Sequence, residues 1–218
     1  MTGGPGAGRV VDEIDPHPVP RHETLHEGRI FDLVRDDVDL GGAGVVTREY
    51  VDHPGAVAVV ALDDADRVLL LRQYRHPVRS FLWEVPAGLL DVEGEPAVDA
   101  AARELAEEAD LTAARWAVLT DYATTPGGSN EAVRVFLARG LVEVPEPERH
   151  TRTGEEAGMT SRWVPLDEAV TLALDGSLHN PSTVVGILGA AASRAGGWAS
   201  LRPADAPWPY RRGTLPAR

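Results

Sequence analysis

The chain contains no cysteine and no lysine, so all 21 of its strongly basic residues are arginine. Without cysteine there is no disulfide framework and no thiol chemistry. No apolar run approaches the roughly 18 residues that a membrane-spanning helix needs, so no transmembrane segment is expected. The N-terminus, Met-Thr-Gly-Gly-Pro-Gly-Ala-Gly, lacks the basic and apolar blocks of a signal peptide. A cytoplasmic enzyme is the simplest expectation. The missing lysine, beside abundant alanine, glycine and proline, reads as the bias of a GC-rich genome. Positive charge is scarce: 34 acidic residues against 21 arginines leave a formal net charge of -13. That balance argues against a general nucleic-acid binder, which needs a basic footprint. An anionic substrate must therefore be met locally, by a metal and a few arginines. The seven histidines have no paired ligand spacing such as His-x3-His and receive no metal role.

A chain of 218 residues is long enough for one domain with a good core and a small appended element. Residues 1–22 are rich in glycine and proline and read as a loose N-terminus. Residues 23–52 read as an N-terminal β segment, with strands over 29–35 and 45–51 and a glycine turn at 41–44. The main domain is expected over 53–195. Its strands are read at 56–62, 68–74, 83–88, 116–123, 132–138 and 162–164. Residues 140–160 read as a polar loop, and 166–174 and 183–194 as helices, the latter carried by Val184, Ile187, Leu188 and Ala191. The tail 196–218, with its four prolines, reads as irregular and draped on a neighbour. No internal repeat is present. Strands on both sides of one central helix suggest a mixed sheet packed between helices.

That helix carries the chemistry. Started at Pro96, which is well tolerated in a first turn, it lines up Val98, Ala101, Ala102, Leu105 and Ala109 as one apolar stripe. Glu104 and Glu108 are i, i+4 neighbours at the edge of the stripe, Glu107 lies further toward solvent, and Arg103 is placed to pair with Glu107. Carboxylates crowded on one turn repel one another, and a bound divalent cation removes the repulsion. Hard oxygen ligands suit magnesium, with manganese as a substitute. For a bare Glu-Glu pair, a solvated acidic face is the alternative; the longer spacing separates the two.

Gly88, Glu95, Arg103, Glu104, Leu105, Glu107, Glu108 and Leu111 together resemble the Nudix box, Gly-x5-Glu-x7-Arg-Glu-apolar-x-Glu-Glu-x-Gly-apolar. Two positions depart from it. Six residues separate Gly88 from Glu95, which lengthens a loop, and the late glycine is Asp110. The latter falls where a helix ends in a left-handed residue, a conformation aspartate tolerates better than most. Beyond the box, Gln73-Tyr-Arg-His76, Trp83-Glu-Val-Pro-Ala-Gly88, Pro126-Gly-Gly-Ser-Asn-Glu131 and Glu155-Glu-Ala-Gly-Met159 are similar to the ADP-ribose pyrophosphatase branch, over about residues 24–195. The resemblance implies an α/β fold, an α/β/α sandwich with a mixed sheet. It also implies an N-terminal strand region that crosses to a second subunit in a homodimer.

The same resemblance implies roles. Glu104 and Glu108 are the first metal ligands, with Glu107 a third candidate and the backbone carbonyl of Ala87 a fourth. Arg103 orients these carboxylates. Gly88 and Glu95 are structural members of the box, Glu95 as a partner of the loop and of Arg103, with metal contact its alternative. The base is a glutamate outside the box, Glu156 or its neighbour Glu155, in a loop that Gly154 and Gly158 allow to swing; a solvated acidic loop is the alternative. Arg48 and Arg75 are the best arginines for phosphate, with strand-surface salt bridges as the other reading. Phe31 is placed to stack on adenine or in a core, Glu131 to bind ribose hydroxyls or a further metal, and Trp83 in the core. The expected activity is magnesium-dependent hydrolysis of ADP-ribose to AMP and ribose 5-phosphate. Another nucleoside diphosphate sugar as substrate, or a sensing module that binds ADP-ribose without cleaving it, are the alternatives. Intact Glu104, Glu107 and Glu108 disfavour the last.

Overall fold

The computed structural model describes residues 9–152 and 158–211. Three antiparallel strands come first, β1 (Arg21–His26), β2 (Asp32–Asp39) and β3 (Val45–Asp52), in the order β1-β2-β3. β4 (Ala56–Ala61), β5 (Arg67–Arg75), β6 (Ser80–Glu84) and β7 (Ala87–Leu89) precede helix α1 (Ala97–Ala109). β8 (Leu111–Ala123), β9 (Ala132–Glu143) and β10 (Thr160–Pro165) follow, then α2 (Leu166–Leu174), α3 (Pro181–Ala195) and the short β11 (Arg202–Pro203). The central sheet has the order β11-β8-β9-β4-β7, and a second sheet has the order β10-β5-β6. β4 and β9 run parallel and the other pairings of the central sheet are antiparallel, so the sheet is mixed.

β4 explains the layering. Its residues are almost all apolar because both faces are covered. Val57, Val59 and Ala61 pack with Ala100, Ala101 and Leu105 of α1. Ala58, Val60 and Leu62 pack with Ile187 and Ala190 of α3 and with Leu166 and Ala169 of α2. The period-two alternation of a strand thus feeds two cores, and the fold is an α/β/α sandwich. α3 lies close to the sheet because Gly186 has no side chain: a Cβ there would stand 2.8 Å from Val60 Cγ2.

Several boundaries differ from the sequence reading. β1 begins inside the stretch read as loose. The strand read over 83–88 is two strands separated at Val85-Pro86, since proline cannot continue a ladder. β8 starts at Leu111 and β9 reaches Glu143, because each supplies the other's hydrogen bonds along a long hairpin. The inner face of α1 uses Ala100 rather than Ala102, and that of α3 uses Thr183, Gly186, Ile187 and Ala190 while Leu188 is half-buried. Small residues win these positions because the helices approach the sheet closely. Trp83 is packed against the second of the two cores, as read. Over 201–211 the tail runs along this chain, with β11 on the edge of β8 and Trp208 buried. Among the described residues, no helix is long and apolar enough to cross a membrane.

Candidate active site

The site is built on α1 and the edge strand β7. Leu105 is fully buried between Glu104 and the next turn, and burying a leucine side chain contributes about 1.5–3 kcal/mol. That anchor sets the rotation of the helix and with it the direction of Glu104, Glu107 and Glu108. The helix ends at Asp110, which adopts φ 54° and ψ 37°. The aspartate that replaces the box's glycine does take the left-handed conformation, and its N–H closes the helix onto the Ala106 carbonyl at 3.1 Å.

β7 meets this helix at two points. The Val59 N–H donates to the Pro86 carbonyl at 2.8 Å, so the neighbouring pair Ala58–Ala87 is a non-hydrogen-bonded one. Ala87 therefore turns both its N–H and its carbonyl to the outer side of the edge strand. Its N–H donates to Glu108 Oε2 at 2.9 Å. Gly88 follows, and a Cβ on it would fall 2.0 Å from Glu104 Cδ and 2.1 Å from Oε1. Only glycine leaves the Glu104 carboxylate where it is.

Arg103 gathers the acidic groups. Its Nε and Nη2 donate to the two oxygens of Glu95 at 3.1 Å each, and Nη1 donates to Glu104 Oε1 at 2.6 Å. Glu107 Oε2 is 3.6 Å from Nη1. The hydrogen bonds it donates to Glu95, opposed by burial and helped by the charge of Glu104, hold the guanidinium above the ordinary arginine range. Arg103 thus pairs mainly with Glu95 and Glu104, and only loosely with the expected Glu107, because the box loop brings Glu95 back across the helix. No three Asp, Glu or His groups among the described residues form a closed metal cage. What they do form is an all-oxygen donor set on one helix face, with the Ala87 carbonyl beside it. This is the donor chemistry of a hard divalent cation.

The remaining candidates divide. Glu131 accepts from Thr124 Oγ1 at 2.7 Å and lies 3.6 Å from His53 Nδ1. Phe31 is stacked on the His53 ring, with centroids 6.4 Å apart. Phe31 precedes β2 rather than lying in a strand, and at 48% exposed it is not a core residue. Arg48 is exposed on β3, with Nη1 on the Thr47 carbonyl, and makes no described contact with the α1 carboxylates. Arg75 is in the strand-surface salt bridge: it donates to both oxygens of buried Glu84 at 2.6–3.2 Å. Its Nε and Nη2 are matched to that carboxylate. Glu155 and Glu156 lie outside the described residues.

Three groups near the site were not singled out from sequence. Arg152, three residues before Glu155, donates to the Glu107 carbonyl at 3.0 Å and to Asp110 at 2.5 Å. It ties the start of the Glu155 loop to the end of the carboxylate helix, and it gives the aspartate at the glycine position a use. Asn130 clips the 125–131 loop to the N-terminal sheet through Asp52 at 2.7 Å and the His53 N–H at 2.8 Å. Arg134, 2% exposed, forms a two-pronged pair with Asp121 at 2.7 and 3.0 Å. The only sequence signal for Arg134 was a charge inside an apolar strand.

The NUDIX domain model matches residues 52–183. The chain is 50% identical over 196 residues to an ADP-ribose pyrophosphatase of Mycobacterium tuberculosis, covering 90% of this chain and 93% of that one. It is 34% identical over 165 residues to an ADP-ribose pyrophosphatase of Bacillus subtilis, covering 76% and 87%. Among solved structures, the crystal structure of an ADP compounds hydrolase matches with a TM-score of 0.69 at 22% identity, covering 86% of this chain and 98% of that one. At that identity the likeness is one of fold. With the sandwich, the box loop and the carboxylate helix agreeing, the chain belongs to the Nudix family.

Proposed function

We propose that this protein is a Nudix pyrophosphohydrolase that uses a divalent metal to hydrolyse ADP-ribose to AMP and ribose 5-phosphate. The observation that carries the chemistry is the Gly88–Glu104 contact: the loop is shaped around a carboxylate, and that carboxylate sits with Glu107 and Glu108 on one helix face. The choice of ADP-ribose rests on the two ADP-ribose pyrophosphatases to which the chain is similar over most of its length.

Glu104 and Glu108 would hold the cation, with Glu107 and the Ala87 carbonyl as further ligands. Magnesium fits these hard oxygens, and manganese can replace it. When bound, the metal neutralises charge on the diphosphate. The chain's own residues do the rest. Arg103 keeps Glu104 oriented while Glu95 holds Arg103 in turn. Glu156, or Glu155 beside it, accepts the proton of the attacking water, since glutamate is ionised at neutral pH. The loop that carries them starts at Arg152, which is tied to α1. Glu131 and Phe31, both beside His53, offer a hydrogen-bonding carboxylate and a π-face for the ribose and the base. Arg48, exposed on β3, remains a phosphate candidate.

A cytoplasmic homodimer completes the proposal. The β1-β2-β3 sheet is a separate three-stranded sheet, joined to the 125–131 loop through Val51 and Asp52, and it leaves Ile30, Phe31, Leu33 and Val45 exposed, a surface that a second copy would cover. The test is product analysis: protein, ADP-ribose and magnesium, with and without EDTA, assayed for AMP. Rapid, chelator-sensitive AMP release is expected. Tight binding of ADP-ribose without release would overturn the enzyme reading. Neither binding nor release, with turnover of another nucleoside diphosphate sugar, would overturn the choice of substrate.

A further inference from the structure

We infer that residues 202–211 form a strap that positions the box loop, with Arg211 its positioning residue. This rests on the reading of the α1 carboxylates as metal ligands. The strap begins with β11, where Arg202 and Pro203 pair with Val118 and Ala117 of β8. Arg202 adds a bond to Asp121 at 2.9 Å. Buried Arg134 then fastens the next residues: Nη1 donates to the Ala206 carbonyl at 2.6 Å and Nη2 to the Pro207 carbonyl at 3.1 Å. The Trp208 ring lies over the same guanidinium, 4.7 Å from Cζ, and is 7% exposed. Charge-assisted bonds and a cation–π contact in a buried setting are strong anchors.

The strap ends on the box. Arg211 Nη2 donates to the Glu95 carbonyl at 2.8 Å. Glu95 is the residue whose carboxylate holds Arg103, which in turn holds Glu104. A continuous series of polar contacts therefore runs from the C-terminal segment to a proposed metal ligand. Two observations make the Arg211 contact more than general packing. The start of α1 has Pro96 as its cap and no side-chain capping bond, so its entry lacks one common anchor. A cavity of about 300 Å³ lies between the strap and Pro96, Ala97 and Val98. Ala204 and Ala206 pack at the edge of the core under α1, and Arg211 supplies the strap's described hydrogen bond to the helix entry.

The experiment compares wild type, Arg211→Ala and Arg211→Lys by titration with Mn²⁺, following the free-ion signal by electron paramagnetic resonance, alongside AMP release and thermal melting. Outer partners of metal ligands commonly cost 10–100-fold when removed, and the lower end suits a contact this far out: about tenfold weaker Mn²⁺ binding and a similar fall in turnover for Arg211→Ala. Arg211→Lys, which keeps a cationic donor, is expected to recover most of both. Wild-type Mn²⁺ affinity in folded Arg211→Ala would overturn the inference. So would a lowered melting temperature with unchanged Mn²⁺ binding, which would make the strap structural only. Wild type that binds Mn²⁺ without releasing AMP would overturn the ADP-ribose reading while leaving the strap to be judged on binding. Wild type that binds no Mn²⁺ would overturn both.

Discussion

Replacing Gly88 by alanine should slow turnover about 10- to 100-fold without unfolding the protein. Gly88 sits in β7 and is absent from the glycines with positive φ, so alanine can adopt its backbone conformation. The obstacle is Glu104. The new Cβ would stand 2.0 Å from its Cδ, against a comfortable carbon–carbon separation of about 3.5–4.0 Å. The carboxylate must swing away and give up the 2.6 Å bond from Arg103. A hydrogen bond to a charged group contributes about 1.5–3 kcal/mol, and about 1.36 kcal/mol is tenfold in rate, which sets the range. Steady-state AMP release from ADP-ribose at saturating magnesium measures it, with circular dichroism melting as the check on folding. Glu104→Gln fixes the floor, with turnover expected to fall by orders of magnitude. If Gly88 acts only through Glu104, the double variant should be no slower than Glu104→Gln alone. Wild-type turnover in Gly88→Ala, or fully additive losses in the double variant, would refute the reasoning.

Further outcomes are expected. Glu156→Gln should lower kcat far more than it changes KM for ADP-ribose; if only Glu155→Gln does so, the base is one residue earlier. Asp110→Gly relieves a left-handed non-glycine residue, a gain of about 1 kcal/mol, but loses the Arg152 pair. Chemical denaturation should therefore find stability within about 1 kcal/mol of wild type, while kcat falls because Arg152 keeps only its bond to the Glu107 carbonyl; unchanged kcat would dismiss a role for the Asp110 pair. Tyr122 is held above its ordinary value of 10.0 by burial, against the bond to Ser182. A raised folded-state value stabilises below the unfolded value and is lost as pH rises through the folded one. Tyr122→Phe should accordingly lose less stability than wild type between about pH 9 and pH 11 in denaturant titrations.

What was readable in the chain follows the range of the interactions. The carboxylate helix, its glutamate spacing and the left-handed Asp110 are decided by neighbours three to four residues apart, so periodicity and local preference reach them. The β4 strand was readable for the same reason, since apolar residues in succession demand cover on both faces. Strand ends were less so. Leu111 and Glu143 join the sheet because they find each other across the β8–β9 hairpin, and neither has a strong preference that says so alone. Arg75 illustrates the other limit. Its type suited phosphate, and only the register of β5 with β6 put it against Glu84.

The amino-acid sequence by itself thus determined the family, the helix that carries the acidic groups and the orientation of those groups toward one face. All of these depend on residue type at fixed short spacing. The tertiary structure alone decided what surrounds that face. Arg211 meets Glu95 across 116 positions and Arg134 meets Ala206 across 72. Asn130 meets Asp52 across 78 and Arg152 meets Asp110 across 42. Such contacts depend on sheet order and on where a chain returns, which no local pattern encodes, so the strap, the clip and the tether become visible only once the sheet is assembled.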